Sequence, residues 1–310
     1  MNRDILTKIR DLIQHDIGNR GLARDPVSNL ISATQDDFVS ACASIAGTER
    51  PVLGVVTGFF IPHADPPAGE TDGPLGAVFL ARTLVPIGIE VIIITDEFCR
   101  TAIEAGLNLA GLLGRVRVVI LPERPPTNLT HLIALERVGP SHTPESVGVA
   151  DAERYRRETS ESSWNRCHTM SGRDITDIMQ PAHELFVNAT IPTIGIGDGG
   201  NEIGMGKLPW ELIVRNIPNG AKVACRIATD FLIVTGISNW GAYALSAGVS
   251  IIRDVPARDI WKIPEEEFLR IMVEAGPLVD GMTARPAISV DGHSPPACFG
   301  PLERIREWMR

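Results

Sequence analysis

The sequence has no long hydrophobic run, no paired cysteines and no excess of positive charge, and each absence excludes a class of protein. None of its windows reaches the roughly 18 unbroken apolar residues that a membrane span requires, so no membrane partner is expected. The net charge of -9 at pH 7 argues against nucleic acid as a partner. Five cysteines, at 42, 99, 167, 225 and 298, form no CxxC pair and no disulfide framework, which fits a reducing compartment. The opening residues carry Asp4, Asp11 and Asp16 and lack an apolar signal core, so a cytoplasmic protein is expected. There is no internal repeat and no low-complexity tract.

What is present is ordinary globular composition, 44% apolar and 22% charged, over 310 residues. Ile5, Ile9, Leu12 and Ile13 recur at helical spacing, so an amphipathic helix is expected to open the chain and close near Gly18. Short apolar, β-branched runs read as strands at 51–60, 89–98, 115–122, 130–139, 190–197 and 230–238. Helical patterns lie between them at 71–88 and 173–186, follow the last of them, and close the chain at 264–276 and 301–309. Strand, helix, strand at this spacing predicts an α/β fold: a mostly parallel sheet with helices on both faces, three-layered and doubly wound. Residues 1–310 are expected to form one such domain, with the polar segment 140–172 as a surface excursion within it.

In that architecture ligands collect beyond the carboxyl ends of the strands. Five polar clusters fall there: Thr57 and Gly58; Thr71, Asp72 and Gly73; Thr95, Asp96 and Glu97; Asp198 to Glu202; and Ser238, Asn239 and Trp240. A helix-capping role accounts for any one of them. Five in the same position point to a binding crevice.

The densest cluster is GIGDGGNEIGMGK, residues 195–207. GIGDGG matches a dinucleotide fingerprint, yet residues 215–222 lack the acid that would bind a ribose, and Asn201 and Leu208 break a phosphate-loop pattern. What remains is a turn of bare backbone carrying Asp198 and Glu202 four residues apart. If a helix starts between them, their carboxylates can converge as hard-cation ligands or as an acid and a base. The seven histidines fall outside any metal spacing.

GDGGNEIGMG (197–206) resembles the signature of the D-glutamate cyclase family. ETDGPLGAVFLARTL (70–84), IALER (133–137), GRDI (172–175), SNWGAYAL (238–245) and VDGMT (279–283) are similar to further family blocks in the same order. The resemblance runs from about Gly18 to Gly292 and departs around 140–171. It implies a lyase that closes D-glutamate into 5-oxo-D-proline and releases water. Asp198, Glu202 and Asp72 are then expected as the chemical centre, with Asp198 and Glu202 seating a divalent cation, Mg or Mn, and no organic cofactor. Thr57, Gly58, Thr71, Gly73, Gly199, Gly200, Asn201 and Asn239 are expected to hold the small amino-acid substrate, Arg173 to pair with its carboxylate and Trp240 to wall the pocket. A homo-oligomer is compatible with this reading. A metal-dependent enzyme acting on another small carboxylate or phosphate, or a non-catalytic sensor of small acids, remains an alternative.

Overall fold

A computed structural model describes residues 2–255 and 263–309. Eight strands follow in chain order: β1 (Val52–Thr57), β2 (Phe60–Ile61), β3 (Ala68–Gly69), β4 (Glu90–Thr95), β5 (Arg117–Ile120), β6 (His131–Leu135), β7 (Thr193–Gly197) and β8 (Phe231–Val234). The helices are α1 (Asn2–Ile13), α2 (Asp37–Gly47), α3 (Pro74–Leu84), α4 (Glu97–Leu109), α5 (Ala152–Glu158), α6 (Glu184–Val187), α7 (Trp210–Asn216), α8 (Gly220–Val223), α9 (Ser238–Ile252), α10 (Glu265–Ala275) and α11 (Pro295–Trp308).

Six strands form one parallel sheet in the order β5-β4-β1-β6-β7-β8, while β2 and β3 make a small antiparallel pair. Numbered along the chain, the sheet strands run 3-2-1-4-5-6, so the order reverses between β1 and β6. The crossovers that leave β1 for one side and enter β6 on the other diverge there and open a crevice above the carboxyl ends of both strands.

The alternation of side chains along each strand feeds two cores. In β4, Val91 and Ile93 join Leu53, Ile133, Ile196 and the faces of α3, α4 and α9. Ile92 and Ile94 point the other way, toward Val56, Leu132, Trp210, Ile213 and Tyr155. The sheet is therefore covered on both sides, and the three-layer α/β architecture is the expected one. Among the described residues no helix is long and apolar enough to cross a membrane.

Two element expectations need correction. The opening helix ends at Ile13, not near Gly18, because the Asp16 carboxylate accepts the N–H groups of Arg20, Gly21 and Leu22 and winds the chain into a tight turn. The helix expected over 173–186 is a series of turns with regular helix only at Glu184–Val187. Asp174 Oδ1 accepts both the N–H and the hydroxyl of Thr176, a local turn that competes with helix, and Pro181 has no N–H to continue one. Segment 140–172 carries α5 and is anchored by Tyr155, fully buried, whose hydroxyl donates to the His142 carbonyl.

Candidate active site

The crevice is built from strand ends inward. Glu136 follows β6 directly and adopts a left-handed backbone, φ 46°. Its carboxylate accepts the hydroxyl of Ser238 at the first turn of α9. Asp72 precedes α3 yet caps a different helix: its oxygens accept the N–H groups of Ser238 and Asn239, each at 2.8 Å. Asn239 returns the arrangement, its Oδ1 accepting from Gly73 at 3.0 Å and Gly76 at 2.8 Å at the start of α3. Two helix N-termini are thus capped in exchange, and the reciprocity fixes both acids at the switch point.

The glycine-rich turn after β7 supplies the next wall. Glu202 folds back into its own turn, where its two oxygens accept the N–H groups of Asp198 at 3.1 Å, Gly199 at 2.7 Å and Gly200 at 2.7 Å. This satisfies the exposed backbone of the turn and pushes Asp198 toward the crevice. Asp72, Glu136 and Asp198 each present a carboxylate oxygen within 4.8 Å of the others.

Above them lies a cavity of about 380 Å³. Glu70, Glu136, Asp291, Asn201 and Arg20 share its polar lining with His63, Thr169 and Ser171, and Phe59, Ile61, Met170 and Met282 line it with apolar surface. Arg20, from the turn that Asp16 winds, donates to Asp198 at 2.6 Å and pairs with Asp291 at 2.8 Å.

One guanidinium among so many carboxyls leaves the site short of positive charge. Burial, followed by the charges of Asp291 and Asp72, pushes Glu70 well above the usual carboxyl range. Burial, then Glu202 and Asp72, does the same to Glu136. Asp198 is raised by burial even though Arg20 opposes the shift, and Asp72 is pushed up to about 7 by burial and Asp291 against the pull of the Asn239 and Ser238 N–H groups. Burial works against the charge of Arg20, but Asp198 and then Asp291 hold its proton tightly enough to raise it overall. A cluster of carboxyls with raised proton affinity beside one guanidinium suits proton transfer or cation binding.

A sequence model described as D-glutamate cyclase-like, C-terminal, matches residues 9–305. The chain belongs to the D-glutamate cyclase-like family. It is also 32% identical over 260 residues to a human protein named D-glutamate cyclase, mitochondrial, an overlap that takes in 79% of this chain and 39% of that relative. The family match includes every residue of the acid cluster.

Of the residues expected from the sequence, Asp72 and Asp198 converge. Both lie at or below the cavity floor, with 2% and 0% exposure. Asn201 lines the cavity, donates from Nδ2 to the His168 carbonyl and leaves its buried Oδ1 without a partner among the described residues. Asn239 and Thr71 are spent on backbone, Thr71 donating to the Ser289 carbonyl, and the Gly58 carbonyl accepts from the Arg137 side chain. Thr57 and Gly73 pack together beneath Glu136. Trp240 is a core residue that donates to the Cys298 carbonyl and does not line the cavity. Arg173 is exposed and outside the cavity lining.

Among the described residues the carboxylates that could hold a cation are Asp72, Glu136 and Asp198, whereas both oxygens of Glu202, the expected partner of Asp198, already serve backbone donors. The triad fits a hard cation on its chemistry: it offers only carboxylate oxygens, and Asp198 Oδ2 is buried with no hydrogen-bond partner among the described residues. Sequence reading missed Arg20, Glu70, Glu136 and Asp291. Glu70 and Glu136 stood inside the blocks ETDGPLG and IALER, where an acid directly at a strand end was the available signal. Arg20 and Asp291 lie far from every strand end and carried none.

Proposed function

We propose that this chain is a lyase that closes D-glutamate into 5-oxo-D-proline with release of water. The observation that carries the reading is the convergence of Glu70, Asp72, Glu136 and Asp198 beside a single arginine at a cavity floor, in a chain of the D-glutamate cyclase-like family. Ring closure forms one C–N bond and breaks one C–O bond. The α-ammonium surrenders two protons in all, and the departing γ-oxygen takes up two to leave as water. Carboxyls whose proton affinity is raised above the ordinary range can accept from the nitrogen and deliver to the oxygen with a smaller free-energy gap than ordinary carboxyls meet. Glu70 and Glu136 face the cavity and are the groups placed to move these protons. Asp72, behind them, adds to the burial and the Glu202 charge that raise the proton affinity of Glu136, and Asp72 and Asp198 with Glu136 would hold a divalent cation, Mg²⁺ or Mn²⁺. Such a cation supplies Lewis-acid polarisation of a carboxylate oxygen. The walls fold the substrate so that nitrogen and γ-carbon meet, and orientation of this kind is worth roughly 7–11 kcal/mol in intramolecular reactions.

Purified protein incubated with D- or L-glutamate, with and without chelator, is expected to form 5-oxoproline from the D isomer in excess, as read by chiral chromatography. Background loss of both isomers, with Mg²⁺ or Mn²⁺ restored, overturns the reading.

A further inference from the structure

We propose that Arg20 and Asp198 form a head-group clamp for an α-amino acid: Arg20 takes the α-carboxylate, and the α-ammonium replaces Arg20 on Asp198. The choice of ligand rests on the proposed cyclisation, but the form of the clamp rests on geometry. An α-amino acid carries its cation and anion on one carbon, side by side. The site holds a complementary cation and anion side by side, with Arg20 Nη1 2.6 Å from Asp198 Oδ1. Arg20 lines the cavity and its side chain is 17% exposed, whereas that of Asp198 is 0% exposed, so the guanidinium lies over the acid and covers it.

Exchange leaves no charge unpaired. The arriving ammonium gives Asp198 a new cation, and the arriving carboxylate gives the guanidinium a new anion of matching fork geometry. Two acceptors already stand buried and unpartnered on this wall, Asp198 Oδ2 and Asn201 Oδ1, and Asn201 lines the cavity. Three ammonium N–H donors need such acceptors. Asp291, the second partner of Arg20, keeps the guanidinium in the cavity while its bond to Asp198 opens.

The backbone beneath Arg20 is built to hold it. Asp16 accepts three successive N–H groups, from Arg20, Gly21 and Leu22, and Gly21 takes φ 96° where a Cβ would run into the Asn216 carbonyl oxygen. The chemistry also decides which carboxylate the arginine takes. A guanidinium stabilises the ionised form of its partner, whereas the γ-carboxylate must accept protons to lose water. Arg20 therefore suits the α-carboxylate, which does not react.

The test compares the wild type with Arg20→Gln and Arg20→Lys on D-glutamate and on D-isoglutamine, whose α-carboxylate is an amide. Turnover is read by chromatography and binding by calorimetry at low temperature. For the wild type, binding of D-isoglutamine is expected to be tenfold or more weaker than that of D-glutamate. Arg20→Gln is expected to raise the D-glutamate KM tenfold or more, with a smaller change in kcat, and to abolish discrimination between the two ligands. Arg20→Lys should restore part of the discrimination. Thermal melting of each variant verifies the fold. Cyclisation by the wild type with KM and discrimination unchanged in Arg20→Gln refutes the clamp and keeps the proposed function. Binding with the expected discrimination but no turnover refutes the function and keeps the clamp. A wild type that neither binds nor converts D-glutamate refutes both.

Discussion

Asp198 and Glu202 stand in one turn, four residues apart and both fully buried, yet their oxygens meet different partners. Those of Glu202 are enclosed by three backbone N–H groups, while Asp198 accepts from Arg20 with one oxygen and has no hydrogen-bond partner for the other among the described residues. An amide in place of Glu202 keeps one acceptor but turns an NH₂ group against a backbone donor, so a buried N–H loses its partner. Glu202→Gln is therefore expected to lower stability by about 1–3 kcal/mol, measured by the denaturant midpoint, and to affect turnover through the shape of the turn. Asp198→Asn removes a charge from a crowded acidic site and breaks no backbone bond. Its melting temperature should hold or rise, and its turnover should fall about a hundredfold or more. If Glu202→Gln melts normally while Asp198→Asn unfolds, the assignment of the two roles is reversed.

Among elements, the exchange of caps between α3 and α9 joins the two helices that enter the site. Each helix depends for its first N–H groups on a side chain from the other. Asn239→Ala leaves the Gly76 N–H buried without its acceptor, while the Gly73 N–H keeps Asp72 Oδ1, and is expected to cost about 1–3 kcal/mol, measured by chemical denaturation. An effect within about 0.5 kcal/mol, typical of an exposed surface substitution, would show that water replaces the side chain. Helix capping was a sound reading of Asp72 and Asn239, though not of Thr71 and Thr95, whose hydroxyls donate to carbonyl groups, and which helix each acid or amide caps could not be read locally. Asp72 and Asn239 are separated by most of the sheet in sequence, and only the docking of α9 on α3 brings them into reach.

For the whole molecule, the buried acids set a pH dependence. The carboxyl of Asp72 is pushed from an ordinary value of 3.8 to about 7 in the folded chain, so between these values the folded state binds the proton more tightly than the unfolded state. Its contribution to stability is greatest below about pH 4 and is lost as the pH rises toward 7. His142 and His168 act the other way, since burial lowers each from 6.5 to about 4 and stability is lost as the pH falls through that range. The net slope mixes both effects, but the difference between wild type and Asp72→Asn cancels the histidines and reports Asp72 together with the proton affinity its charge lends to Glu70, Glu136 and Asp198. Chemical denaturation without divalent cation, from pH 4 to 8, is expected to show the variant gaining stability relative to wild type as the pH rises, beyond a constant offset from the lost cap. A difference that stays flat across this range contradicts the shifted carboxyl.

The sequence by itself determined the layers and the rim. Alternation within short β-branched runs sets which side chains enter each core, and runs separated by helix-length segments impose parallel strands, so the three-layer α/β form and the placement of Asp72 and Asp198 at strand ends were legible without coordinates. Periodicity failed at 173–186, where side-chain turns and Pro181 override an apolar spacing that resembles a helix. Only the tertiary structure decided the composition of the site. Arg20 comes from a turn after the first helix, Asp291 from a turn before the last, and Glu70 from the loop that enters α3. No local pattern marks such residues, because their proximity arises from how loops converge over the switch point between β1 and β6. The burial that raises their proton affinity is likewise a property of the assembled crevice, to which segments distant in sequence contribute.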